Sequence, residues 1–325
     1  MSEAGKPKFA MYWAAGCGGC DIGVLDIQEA LLDVAAFFDI VFWPVAIDAK
    51  YADVEAMPDG FIDLCLFNGG IRNSENEHMA KLLRAKAKVL VAFGSCAGEG
   101  CIPALANQFG VEAILDFVYA KSPSTSNNGR VRPQPRSEMP EGEIEIPELR
   151  DQLVPLDAVV DVDYKIPGCP PVPGRIMDVM QLIMSGAELP PKGSVIGAGQ
   201  KTVCDECPRE RREKSIREFH RPFEVMADPE ECLLDQGIIC MGPATRSGCE
   251  ALCPQGNMPC RGCYGAPPNV TDQGAKMLSA IASVIDSDDP EEIAAITAQI
   301  VDPLGSLYRF SMGQAPLRRL QTCGK

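Results

Sequence analysis

Twelve of the fifteen cysteines fall by spacing into three sets of four. The first set is scattered: Cys17 and Cys20, then Cys96, then Cys169. The second is Cys204, Cys207, Cys232 and Cys240, and the third, more compact, is Cys249, Cys253, Cys260 and Cys263. Four thiolates are what a cubane iron–sulfur cluster takes. Three such clusters in one chain would form a path for electrons. Cys65, Cys101 and Cys323 are left over.

Cysteine has two other common uses. Disulfides need an oxidising compartment. The apolar stretch 9–15 is too short for an export signal and runs directly into Gly16-Cys17, and no paired arginines lie near the start. Zinc is the stronger competitor, because Cys-x-x-Cys pairs occur at Cys17/Cys20, Cys204/Cys207 and Cys260/Cys263. Three quartets in a chain with only His78 and His220 favour iron–sulfur over zinc. Each set also contains one Cys-Pro pair, at Cys169-Pro170, Cys207-Pro208 and Cys253-Pro254, as bacterial ferredoxin runs do. Proline lacks an N–H and fixes φ, so it turns the chain away from a cluster. Glycines stand beside the thiols at Gly16, Gly18, Gly19, Gly94, Gly168, Gly248 and Gly262. Without a side chain they let backbone N–H groups approach bound sulfide.

These residues must be positioned by a fold. A chain of 325 residues suggests about two domains. The net charge of −15 argues against nucleic acid as a partner, since phosphates need a basic surface. It also disfavours anionic membranes, and no apolar run reaches the roughly 18–20 residues of a membrane span. The mixed-sign run 209–214 reads as a solvated face or helix. Strand signals at 9–13, 40–46, 62–67 and 88–93 alternate with helix signals at 26–38 and 78–88. That alternation implies parallel βαβ units in a doubly wound α/β sheet. In such sheets the loops at the carboxyl ends of the strands converge on one site. Cys17 and Cys20 follow the first strand, Cys96 follows the fourth, and Cys169 comes from another such loop after the apolar stretch 158–162. A scattered quartet is then expected to meet.

Residues 121–148 break the pattern and read as a long loop or insertion. A domain boundary is placed at 190, with a C-terminal region over 191–325. That region is irregular and rich in cysteine at first, as a fold held by its clusters would be. It turns helical later. Met277, Ile281, Val284 and Ile285 make one apolar stripe. Asp289-Pro290-Glu291-Glu292 reads as N-cap, first-turn proline and capping-box glutamate, opening a helix through Ile300.

At this point the chain resembles the small, electron-transferring subunits of [NiFe] hydrogenases. The carrying segments are Gly16-Cys17-Gly18-Gly19-Cys20, Gly94-Ser95-Cys96-Ala97 with Ile102-Pro103-Ala104, and Gly168-Cys169-Pro170-Pro171. The resemblance covers nearly all of the chain except 121–148. It implies a flavodoxin-like domain over 1–190, followed by an irregular, mostly helical iron–sulfur domain. It implies three [4Fe–4S] clusters: a proximal one on Cys17, Cys20, Cys96 and Cys169, a distal one on Cys204, Cys207, Cys232 and Cys240, and a medial one on Cys249, Cys253, Cys260 and Cys263. The nickel–iron centre is expected on a partner large subunit, and no residue of this chain is expected to be catalytic.

Departures from periplasmic and membrane-bound relatives point to a subgroup. A histidine opens their distal set, where this chain has Cys204, and Cys253 can complete a medial cubane where they often have proline. Their proton-transfer glutamate, two residues after the second cysteine, is replaced here by Ile22. Asp21 is read as an exposed loop or cap carboxylate, with a substitute for that glutamate as the other reading. The pattern is similar to the gamma subunit of methyl-viologen-reducing, deazaflavin-non-reducing hydrogenases. That similarity implies a cytoplasmic complex passing electrons through a ferredoxin-like delta subunit to a heterodisulfide reductase-type partner. A sulfhydrogenase or NAD(P)-linked small subunit, a complex I-type relay subunit and a zinc protein are the competing readings. Among the remaining residues, Cys65, Trp13 and Trp43 are read as packing, and His78 and His220 as structural or solvated. Cys101, five residues after Cys96, is read as an inert neighbour of the first set, with a redox-active thiol or an alternative ligand as the other readings. Cys323 is read as free or as bonding a neighbouring subunit.

Overall fold

The structure is a computed structural model that describes residues 5–212 and 216–316. Cys323 and the last two residues of the run 209–214 lie outside the described residues.

Six parallel strands form the central sheet: β1 (Lys8–Trp13), β2 (Asp39–Phe42), β3 (Ile62–Asn68), β5 (Ala87–Phe93), β9 (Tyr164–Ile166) and β10 (Ser194–Val195). Their spatial order is β10-β9-β5-β3-β1-β2. The chain starts at β1, one strand in from the β2 edge, and then crosses back to β3 and winds outward the other way, as in a flavodoxin-like sheet, so the switch point falls between β1 and β3. The sheet is buried on both faces, which is why its strands are near-continuous apolar runs. Phe9 and Met11 of β1 pack on one side with Val24, Val34 and Ile176. Ala10 and Tyr12 pack on the other with Met79, Leu83 and Leu90. Helices α1 (Gly19–Leu25), α2 (Ala30–Phe37) and α7 (Pro173–Met184) cover the first face; α3 (Tyr51–Ala56) and α4 (Ser74–Lys86) cover the second.

Several elements differ from the sequence reading. The helix expected over 26–38 is α2 alone, Ala30–Phe37, because residues 26–29 form turns that separate it from α1. Ile27 stays buried in that break, so periodicity alone did not reveal it. The strand expected over 40–46 ends at Phe42, because Trp43 and Pro44 enter a turn. Helix α4 begins at Ser74, where Asn73 caps it by accepting from the N–H of Asn76. The strand leading to Cys169 is Tyr164–Ile166 and not the apolar stretch 158–162. Strand β10 joins the sheet beyond residue 190.

Two small antiparallel pairs sit beside the sheet: β4 (Ile71–Asn73) with β8 (Leu149–Val154), and β6 (Arg136–Met139) with β7 (Gly142–Glu145). The second is an exposed hairpin inside the 121–148 segment. Helix α5 (Ser95–Glu99) leads through a 3-10 stretch to α6 (Val111–Asp116).

Beyond Val195 regular structure is sparse until α8 (Leu252–Gln255), α9 (Gln273–Ala282), α10 (Pro290–Thr297) and α11 (Pro303–Leu307). Met277 and Ile281 are buried in a core that also holds Cys240 and Cys260. Asp289 caps α10 and Pro290 opens it. Glu292, however, accepts from Ser287 Oγ at 2.7 Å and closes no capping box, and the helix stops at Thr297. The chain then returns to the first domain, where the Cys101 N–H donates to the Phe310 carbonyl at 3.1 Å.

No single helix among the described residues is long and apolar enough to cross a membrane.

Candidate metal centres

The register aligns the carboxyl ends of four strands. Trp13 of β1 pairs with Asn68 of β3, Asn68 with Phe93 of β5, and Phe93 with Ile166 of β9. The loops that leave these residues carry the first cysteine set. Cys17, Cys20, Cys96 and Cys169 line one cavity together with Gly16, Gly69 and Gly168. Hydrogen bonds brace its floor: Gly94 N–H donates to the Ile166 carbonyl and Ser95 N–H to the Gly168 carbonyl, both at 2.8 Å. Gly94 has φ +82°, and a Cβ there would stand 2.3 Å from Cys20 Sγ. The cradle therefore excludes any side chain at this position. Burial pushes the Cys20 thiol well up, and Cys96, Cys169 and Cys17 add to the effect. Four thiolates gathered in one cavity, three of them partly or fully buried and Cys17 exposed, need compensating cations. An iron cluster provides them, so the donor set fits that group.

The second set shows the same fit. Cys204, Cys207, Cys232 and Cys240 line one cavity with Arg211 and Gly242. A Cβ on Gly242 would lie 2.9 Å from Cys204 Sγ and 3.7 Å from Cys240 Sγ. Burial pushes Cys204 up to about 12 and Cys240 up to about 11.

The third set lies between the other two. Burial pushes Cys263 up to about 12, with contributions from Cys249 and Cys253 of its own set and Cys169 of the first. Cys263 packs against the buried group Cys96, Cys101 and Phe310, and its carbonyl accepts from Ser95 Oγ. On the other side, the Cys260 N–H donates to Cys240 Sγ of the second set at 3.3 Å. The spatial order is thus first, third, second, although the sequence order is first, second, third. Among the described residues no group of three His, Cys, Asp or Glu side chains is placed to hold a single metal ion.

Two residues that join these loops escaped the sequence reading. Glu206, between Cys204 and Cys207, accepts from the N–H groups of Gly248 and Ala251 and thereby fixes the Cys249 turn. Arg209, expected in a solvated run, is buried. It donates to the carbonyls of Pro254, Asp228 and Glu231, joining the Cys207, Cys232 and Cys253 loops. The only sequence signal for either was position beside a ligand candidate.

Asp21 also departs from expectation. It is 3% exposed, not a surface cap. Its carboxylate accepts from Trp43 Nε1 at 2.9 Å and from Asn68 Nδ2 at 3.0 Å. Trp43 is buried as expected, whereas Trp13 is exposed. The Trp13 ring lies over Gly18, and its Nε1 donates to the Gly16 carbonyl at 3.1 Å, fastening the Cys17 loop. Cys65 is buried, as packing requires. Cys101 is buried too, but its Sγ lies 3.6 Å from Cys169 Sγ. Donation from Cys101 holds the Cys169 thiol down and raises that of Cys101. The Cys101 thiol therefore touches the first site, although it is not one of the four lining thiols. His78 is solvated beside Glu55, and the His220 backbone N–H donates to the Gly237 carbonyl.

Residues 17–183 match the family model described as NADH ubiquinone oxidoreductase, 20 Kd subunit. The iron–sulfur subunit of the F420-non-reducing hydrogenase of Archaeoglobus profundus is 42% identical over 96% of this chain and 98% of its own length. The corresponding subunit of the F420-non-reducing hydrogenase of Methanothermobacter marburgensis is 38% identical over 96% of each chain. Among solved structures, a chain of an NAD+-reducing [NiFe]-hydrogenase is 32% identical, covering 57% of this chain and 96% of its own, with a TM-score of 0.49. The segment matched by the family model starts at Cys17 and takes in all four cysteines of the first cavity, while the archaeal relatives extend the match through the two later sets. The chain therefore belongs to the family of hydrogenase small subunits that includes the iron–sulfur subunits of F420-non-reducing hydrogenases.

Proposed function

We propose that this chain is the electron relay of a cytoplasmic [NiFe] hydrogenase, carrying electrons from a large subunit toward a ferredoxin-like subunit and a heterodisulfide reductase-type acceptor. The observation that carries the proposal is the unbroken line of cysteine sets, first to third to second, through the Cys263 and Cys260–Cys240 contacts. Each set would hold one [4Fe–4S] cluster. When bound, such clusters accept and donate single electrons at potentials tuned by hydrogen bonds, charge and exposure.

The protein's own residues do the positioning. Cys17, Cys20, Cys96 and Cys169 would hold the entry site. Cys17 is exposed, and α1 beside it presents Ile22 and Leu25 to solvent. An exposed apolar surface next to an exposed ligand suits a large subunit that excludes water there. Cys249, Cys253, Cys260 and Cys263 would hold the middle site, and Cys204, Cys207, Cys232 and Cys240 the exit. Glu206 and Arg209 fix the separation of these last two by joining their loops. The all-thiolate sets suit the low potential of the dihydrogen couple, because thiolate charge favours the oxidised cluster.

Iron and acid-labile sulfide analysis of the anaerobically purified complex tests the assignment. Three four-iron clusters contribute about twelve irons and about twelve sulfides from this chain, on top of the iron and sulfide of the large and ferredoxin-like subunits, with broad absorption at about 400 nm. A colourless protein with zinc and no sulfide would refute the relay.

A further inference from the structure

The chain carries 45 acidic and 30 basic residues. Against that background one surface cavity gathers positive charge. Arg221, Arg261 and Arg309 line a cavity of about 680 Å³ in the C-terminal region. Among the described residues none of the three arginines forms an ion pair. The only acid in the lining, among the described residues, is Glu224, whose carboxylate accepts from the Arg221 backbone N–H at 2.7 Å. His220 adds a titratable ring.

The apolar residues around this cavity are unusual. Phe223 and Met258 in the lining are 79% and 48% exposed, and Met226, three residues beyond Phe223, is fully exposed. The Arg221 guanidinium lies 5.6 Å from the centre of the Phe223 ring. Arginine, phenylalanine and methionine are the residues enriched at protein interfaces, where lysine and aspartate are depleted. Among the described residues no lysine or aspartate lines this cavity.

Its position matters. Ile238 and Ile239 of the wall lead directly into Cys240, and Arg261 sits between Cys260 and Cys263. The cavity therefore abuts the place where the second and third sets meet at the Cys260–Cys240 contact. We infer that this face is the docking surface for an acidic protein that takes electrons from the chain. The inference rests on the relay reading given above, and it names where and by what chemistry the acceptor binds. A small anion inside the cavity would neutralise the arginines but leave Phe223 and Met226 uncovered, so the observations favour a protein. An acidic partner would be repelled by much of this acidic chain and drawn to this patch.

The test uses the native complex carrying Arg221→Glu or Phe223→Asp. Both side chains are exposed, so neither change disturbs the core. Retention of the ferredoxin-like subunit is measured by analytical ultracentrifugation across a salt series, and dihydrogen-driven viologen reduction is measured alongside. Viologen bypasses the docking face and reports the relay itself. The expected result is viologen reduction near the wild-type rate in both variants with binding of the ferredoxin-like subunit weakened about tenfold or more, most strongly for Arg221→Glu at low salt. Retention of that subunit at wild-type strength in both variants would overturn the inference. So would saturable binding of inorganic phosphate that is lost in Arg221→Glu while the subunit stays bound. Failure of the underlying relay reading would look different: the wild-type complex itself would not reduce viologen.

Discussion

Trp43 donates from Nε1 to Oδ1 of Asp21 at 2.9 Å, inside the protein and one residue away from Cys20. Asn68, at the end of β3, donates to the other carboxylate oxygen. Asp21 thus ties the start of α1 to the sheet and holds the Cys17–Cys20 loop over its cavity. It has no exposed face from which to exchange protons with solvent.

Replacing Asp21 with alanine should therefore act on structure. The two donors lose their acceptor while still buried, which costs about 1–3 kcal/mol for each unsatisfied group. The expected outcome is a lower unfolding temperature and a loosened first site, with iron content falling by up to about one third. Thermal unfolding and iron analysis of the purified variant check this.

Gly94→Ala is expected to be more severe at the same site. Its Cβ would stand 2.3 Å from Cys20 Sγ, at a φ of +82° that alanine resists. Cys20 cannot remain where it is, so the first cluster should be lost while the second and third are kept. Iron should fall by about one third, and the spectroscopic signal of one cluster should vanish.

Cys101→Ala separates a ligand from a neighbour. Cys101 Sγ lies 3.6 Å from Cys169 Sγ and donates toward it. Hydrogen bonds to cluster sulfur raise the potential. The variant should keep its full iron content, and the midpoint of the first cluster should move down by tens of millivolts. A redox titration followed by electron paramagnetic resonance gives both the number of clusters and the shift.

Glu99 supplies a pH-dependent term. Its Oε2 is sealed from solvent and finds no hydrogen-bond partner among the described residues. Burial raises its carboxyl to about 7, Lys165 and Arg246 acting against that rise and Asp157 adding to it. The folded value thus lies above the unfolded one, so the protonated form favours the fold. This contribution is complete below the unfolded pKa near about 4.3 and is lost as pH rises through about 7. Glu99→Gln, which cannot ionise, should be more stable than wild type at pH values above that range, with the advantage shrinking as pH is lowered. Thermal unfolding of both proteins under dinitrogen at acid and alkaline pH checks the sign.

The sequence was most legible where chemistry constrains it most. Metal ligands admit few residue types, and the cysteines therefore grouped by spacing before any fold was known. The central strands were legible because a sheet buried on both faces leaves continuous apolar runs, as in β3 and β5. Helix α1 was not, because Gly19-Cys20-Asp21-Ile22-Gly23 contains two glycines and little apolar periodicity. The burial of Asp21 was hidden for another reason: its partners lie 22 and 47 residues away, so only the tertiary structure brings them together. Arg209 looked like a surface charge for the same reason, since the carbonyls it meets belong to loops 19 to 45 residues distant. The spatial order of the second and third sets likewise depends on chain reversal that spacing does not encode.

The central claim is that electrons from dihydrogen cross this chain through its cysteine sets. Dihydrogen-driven viologen reduction by the anaerobically co-purified complex tests it most directly, in wild type and with Cys17→Ser and Cys96→Ser. The account predicts activity in the wild type and its loss in both variants, with the complex still assembled. An intact, cluster-loaded wild-type complex that does not reduce viologen would contradict the account.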